Sequence, residues 1–147
     1  MIELKSQLPS LWLSPELCEI IYNEFKQSEL FPQPLPDFST RYPTRLESIL
    51  GSVQLGSSLL GRNLVEVAVE YFFKINCGHP FQNGNKRLSI LYTDTFLYLN
   101  GYDLSIANED LYSLATVIAQ ANKLGLEENE LKEITKEIFL ENLLIIE

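Results

Sequence analysis

Histidine occurs once in this chain, at position 79, and cysteine twice, at positions 18 and 77. The two cysteines lack metal-ligand spacing and leave room for one disulfide at most, so nothing here reads as a disulfide-stapled secreted scaffold. Basic residues are also scarce. Eleven Lys and Arg face twenty Asp and Glu, a formal net charge of −9. That balance repels a phosphate backbone and excludes bulk nucleic-acid binding. Long apolar runs are missing: the strongest, Leu64 to Ile75, is broken by Glu66, Glu70 and Lys74 and falls short of the roughly 20 apolar residues that cross a bilayer. No signal-peptide pattern opens the chain, and the expectation is a cytoplasmic protein in a reducing interior.

What is present reads as one globular domain over residues 1–147. Hydrophobic residues make up 46% of the 147 and charged residues 21%, ordinary proportions for a chain with a single packed core. The acidic excess is concentrated at the end. Residues 127–147 hold seven glutamates against Lys132 and Lys136, five of the nine net negative charges. Between Gly61 and Ile90 the sign reverses, with Arg62, Lys74, Lys86 and Arg87 against Glu66 and Glu70. A small anion would settle there.

Periodicity predicts an all-α fold. Ser14-Pro15-Glu16 is an N-cap, a first-turn proline and an early acid, opening a helix that runs to about Ser28. Phe31 to Pro43 carries four of the seven prolines and reads as an extended surface loop. Arg45 to Ser58, with Gly51 and Gly56, is compatible with a helical turn or a short β-hairpin. Asn63 to Asn76 is apolar nearly all round, as a central helix should be. Leu88, Leu91, Tyr92, Thr95, Phe96 and Leu99 keep helical spacing up to Asn100-Gly101. A further helix capped by Asn108 or Ser105 closes at Gly125, and a last one spans about Glu127 to Ile145.

One segment is dense in chemistry. His79-Pro80-Phe81-Gln82-Asn83-Gly84-Asn85-Lys86-Arg87 puts the lone histidine, an amide pair flanking a glycine and two adjacent cations between two apolar helices. Asn83 and Gly84 tolerate positive φ, which lets successive N–H groups form a nest at the start of the helix near Asn85, a ready site for phosphate. Lys86 and Arg87 add charge to the same anion. His79 has the one side chain in the loop whose ordinary pKa suits base work near neutrality. A plainer reading keeps Phe81 as a core peg and pairs Arg87 with Glu66 or Glu70.

These nine residues resemble the active-site motif of the Fic/Doc (Fido) family, His-x-Phe-x-(Asp/Glu)-Gly-Asn-(Gly/Lys)-Arg. Lysine at the eighth position resembles the death-on-curing (Doc) branch. The likeness extends to Trp12–Phe25, Arg45-Leu46-Glu47-Ser48 and Phe96–Tyr102. It implies a helical domain with the loop between two central helices and a flap over Arg45–Ser57 that aligns the target chain. His79 would be the general base toward a protein hydroxyl, Phe81 the loop anchor, and Asn83, Gly84, Asn85, Lys86 and Arg87 the nucleotide-phosphate site. The substrate would be ATP with Mg²⁺, the target a protein such as elongation factor Tu, and the silencing partner an antitoxin protein. The chain has no clean form of the inhibitory helix of self-silenced members; Ser105 with Glu109 comes nearest.

One position departs. Asn83 stands where the family carries the Mg²⁺-binding Asp or Glu, so an uncharged amide would have to serve as the metal ligand. Lys86 points to transfer of the terminal phosphate. The alternatives are AMP transfer, or a catalytically weak protein of this fold that binds nucleotide or a partner.

Overall fold

The computed structural model describes residues 7–26 and 35–146, and within them the chain is mostly helical. Helix α1, Pro15–Phe25, starts as its sequence dictates: the Ser14 hydroxyl accepts the Leu17 N–H at 3.1 Å and Pro15 fills the first turn. It buries Cys18, Ile21 and Tyr22. The helix stops at Phe25, and Ser28 lies outside the described residues, as does the start of the proline-rich stretch. The rest of that stretch is irregular apart from one 3₁₀ turn, Phe38–Thr40.

The segment read as a helical turn or a hairpin is a full helix, α2, Arg45–Leu60. No hairpin forms. Leu46, Leu50, Val53 and Ser57 fall on one helical face and are buried. Each internal glycine weakens a helix by about 1 kcal/mol relative to alanine, and that stripe of core contacts outweighs the two at Gly51 and Gly56. Gly61, at φ 65°, ends it.

Helix α3, Leu64–Gly78, is the centre of the fold. A reciprocal capping box joins Asn63 and Glu66 at its start, and eleven of its fifteen residues are buried. Its thin polar edge forms a seam with the acidic C-terminal helix. The buried Glu70 carboxylate lies 3.1 Å from Lys132 and 3.8 Å from Arg62, and Glu66 lies 3.6 Å from Lys136. Helix α4, Asn85–Leu99, makes the most extensive contact with α3, including the edge-on pair Tyr71 and Phe96 at 4.9 Å.

Two expectations for the C-terminal third are corrected. The predicted last helix is α7, Glu128–Glu141, and the chain after it forms a strand. This β2, Leu143–Ile145, pairs antiparallel with β1, Tyr102–Leu104, in the register Tyr102 to Ile145 and Leu104 to Leu143. Tyr102 and Leu104 point into the core and Asp103 outward, a period of two that three residues are too few to announce. The helix before α7 is two pieces, α5, Asn108–Ala119, and α6, Ala121–Leu124, broken at Gln120. Gly125 does close α6, at φ 71°, but neither Ser105 nor Asn108 caps α5: the N-cap position is Ala107. Among the described residues Cys18 and Cys77 are both free, and no helix is long and apolar enough to cross a membrane.

Candidate active site

Helix α3 ends in an unusual way. His79 takes the C-cap in the left-handed region, φ 48° and ψ 57°, the one non-glycine residue with positive φ among those described. That conformation costs a non-glycine residue about 1–2 kcal/mol, and the surroundings hold it. The Arg45 guanidinium donates to the His79 carbonyl at 3.3 Å, and the Tyr42 N–H donates to the Pro80 carbonyl at 3.0 Å. Arg45 in turn lies over the Tyr42 ring, 4.2 Å from its centroid.

Phe81 enters the core next and is 3% exposed. Its ring stacks on Tyr22 at 5.4 Å and on Tyr92 at 6.1 Å, with Phe38 beside it. From the first turn of α4, Asn85 reaches back and grips the Phe81 backbone at both ends, accepting its N–H at 3.0 Å and donating to its carbonyl at 2.9 Å. The Asn85 side chain is therefore a loop clamp, in keeping with a residue expected, with Gly84, to shape the nest. Its backbone N–H stays at the helix start. Asn85 Nδ2 also lies 3.5 Å from His79 Nδ1, too long to fix a tautomer.

Gly84, at φ 76° and ψ 13°, is the N-cap of α4 and has no side chain to satisfy the first-turn N–H groups. They have no side-chain cap and the dipole of a fifteen-residue helix behind them, the arrangement that attracts an anion. Lys86 and Arg87 flank this nest. Among the described residues Lys86 makes no ion pair, and Arg87 pairs with neither Glu66 nor Glu70, both of which are taken by other cations. Glu109 makes no ion pair with Arg87 either. The Arg87 guanidinium instead lies over the Tyr112 ring of α5, 4.7 Å from its centroid. A cavity of about 310 Å³ opens here, lined by His79, residues 82–87 and Tyr112. All of the sequence-predicted site residues except the buried anchor Phe81 meet in it.

Sequence reasoning missed Tyr112 and the bracing contacts of Tyr42, Arg45 and Gln82, whose side-chain amide donates to the Thr40 carbonyl at 2.9 Å. Nothing local announces them, since each acts across the fold.

The donor set does not fit a resident Mg²⁺. Among the described residues no group of three His, Cys, Asp or Glu side chains is arranged to hold a metal. Asn83 is exposed and neutral, and Asp94 lies more than two turns along α4 from the nest. A divalent ion would arrive on nucleotide phosphates, with the Asn83 amide oxygen as an uncharged ligand.

The Fic/DOC family profile matches residues 16–97, which span α1 to nearly the end of α4 and include the whole loop. The chain belongs to the Fic/DOC family. No curated protein matches it. Members of the family are in general nucleotide-dependent transferases that act on proteins, and the matched region carries all of the cationic cavity's lining except Tyr112.

Proposed function

We propose that this chain is a Doc-like transferase that moves the terminal phosphate of MgATP onto a Ser or Thr hydroxyl of a protein. One observation supports it above the rest: Lys86, without an ion-pair partner among the described residues, stands beside Arg87 at the nest of α4, in the same cavity as His79. Two side-chain cations and a helix N-terminus suit a polyphosphate chain better than a single phosphate.

In this reading the nest and Lys86 hold the terminal phosphate and Arg87 the phosphate behind it. His79 takes the proton of the acceptor hydroxyl as its oxygen forms the new bond to phosphorus. The bond from phosphorus to the bridging oxygen breaks, ADP leaves, and the protonated His79 later returns its proton to solvent. The loop needs no rearrangement to bring these groups together, because the Asn85 clamp and the Phe81 stack already fix it. The work would be done in the cytoplasm on a translation factor such as elongation factor Tu. Silencing would come from a separate antitoxin protein, since Arg87 has no glutamate of this chain on it among the described residues.

The test is to incubate the purified protein with MgATP and elongation factor Tu and read the mass gained by the acceptor. A gain of one phosphoryl group is expected. A gain of one adenylyl group would make the chain an AMP transferase and overturn the assignment of Lys86. The Asn83 amide favours a second reading, a nucleotide-binding protein of low activity; saturable ATP binding with no modified acceptor would bear that out.

A further inference from the structure

His79 is shared by two cavities of opposite character. On one side is the cationic cavity; on the other is a cavity of about 440 Å³ between the end of α3, the α5–α6 junction and the start of α7. Phe73, Ile118 and Leu126 give the second cavity apolar walls, Asn122 and Glu128 give it polar edges, and among the described residues no Lys or Arg lines it. Phosphate has no place there. Apart from Phe73, Cys77 and His79, its lining lies beyond residues 16–97.

Displacement at phosphorus places the attacking and leaving oxygens on opposite sides. The base must reach the attacking hydroxyl, so with phosphates among Lys86, Arg87 and the nest, the acceptor approaches from the far side of His79. That side is the second cavity. Residues 45–57, which the family resemblance assigns to a flap aligning the acceptor, are helical here with backbone groups already paired. They offer no strand edge for an incoming chain, so side-chain pockets must do the gripping.

We propose that this cavity is the acceptor pocket and that it selects a peptide segment carrying a bulky apolar residue next to the Ser or Thr, with a Lys or Arg placed to meet Glu128. The inference rests on His79 as the base of the proposed transfer. Room for a segment exists: a neighbouring cavity of about 470 Å³ shares Phe73, Cys77 and Glu128, continues to Ser48 and Ser52 on α2, and carries Lys74 and Lys132 on its wall, so a basic residue of the segment fits at the Glu128 end alone. Charge supports the choice. The Glu127 carboxylate is engaged in capping α7 through Asn129 and Glu130. Lys132 lies 3.1 Å from Glu70 and only 3.9 Å from Glu128, whose side chain is 68% exposed. Glu128 thus keeps most of its acceptor capacity, and it sits where both cavities meet.

The experiment uses the full chain, MgATP labelled on the terminal phosphate and, in a parallel run, on the α-phosphate, and a library of peptides with a fixed central Ser or Thr and degenerate flanks. The wild type should label peptides with a basic residue at one flanking position and an apolar one beside the hydroxyl. Glu128→Lys should turn the basic preference into an acidic one, a change of about tenfold or more in relative kcat/KM. Leu126→Asp should erase the apolar preference, and nucleotide affinity should be unchanged in both variants. An unaltered preference in Glu128→Lys overturns the pocket and leaves the transfer reading standing. Lost ATP binding in that variant also overturns it, by showing that the cavity holds the nucleotide. Label arriving only from the α-phosphate sinks the phosphate reading yet keeps the pocket, whereas no labelling of any peptide by the wild type overturns both.

Discussion

The guanidinium of Arg87 rests on the face of Tyr112, 4.7 Å from the ring centroid, joining the last residue of the loop motif to a helix outside the matched family region. The contact holds a long, flexible cation at the cavity lined by residues 82–87, reducing the side-chain ordering that binding of the proposed nucleotide would otherwise require. Tyr112→Ala is expected to weaken ATP binding two- to fivefold, from a cation–π contact of about 0.5–1 kcal/mol at an exposed site. Tyr112→Phe keeps the ring face and should bind as the wild type does. Fluorescent nucleotide titrations of the two variants check this; equal weakening in both would assign the effect to the hydroxyl.

His79 holds a backbone conformation that costs the fold stability, and the proposed transfer needs its imidazole. Its backbone sits at φ 48°, a region glycine enters freely. His79→Gly should therefore raise stability by about 1 kcal/mol while abolishing transfer, and His79→Ala should abolish transfer with no such gain. Thermal unfolding measured beside the transfer assay separates the two effects. Transfer retained by either variant would remove the general-base role.

The same loop shows what a linear reading reaches. Residues 79–87 lie in one stretch and turn on local chemistry: positive φ at Gly84, an apolar peg at Phe81, two cations at a helix start. Their meeting in one cavity follows from adjacency. The strands Tyr102–Leu104 and Leu143–Ile145 were hidden because each needs a partner some 40 residues away, and three residues carry almost no periodic signal. For helix α2 the sequence allows helix or hairpin because its two glycines weigh locally against helix, whereas the burial of Leu46, Leu50 and Val53 that decides the matter is tertiary. The place of Asn85 in the motif gives it, with Gly84, a part in shaping the nest. The double bond of its side chain to the Phe81 backbone is visible only once the loop has folded back.

Asp94 gives the fold a pH dependence of its own. Burial pushes its carboxyl up to about 6, and the negative charge of Asp103 adds to the rise. Because the folded-state value lies above the unfolded one, the native state binds more protons between about pH 4 and 6, and stability falls as the pH rises through that window. At neutral pH the ionised Asp94 is a residual penalty. Asp94→Asn should add about 1–2 kcal/mol at pH 7 and flatten the stability profile between pH 4 and 6. Urea unfolding over that range is the measurement; a variant no more stable than wild type at pH 7 would mean that the group is better solvated than its burial implies.

On the proposed transfer, Asn83 would set how much Mg²⁺ the reaction needs. The family pattern has an acid here, and the residues around this position supply no substitute: the loop from His79 to Arg87 contains none, and Asp94 lies more than two turns down α4. A neutral amide can touch a divalent ion but cannot offset its charge, so in that reaction the ion would be held mainly by the nucleotide's own phosphates. Metal ions at such sites contribute several kcal/mol of transition-state stabilisation, and an amide in place of a carboxylate forfeits part of it. Asn83→Asp should lower the Mg²⁺ concentration needed for half-maximal transfer and raise the rate by about tenfold for each 1.4 kcal/mol regained. The position is exposed and its side chain makes no hydrogen bond among the described residues, so the substitution leaves the fold alone, and unfolding curves should overlay. An Asn83→Asp form with unchanged rate and Mg²⁺ requirement, in a wild type that does transfer, would show that this side chain never meets the metal. If both forms bind ATP and neither modifies a protein, the amide is no brake on catalysis, and the chain is a nucleotide-binding protein.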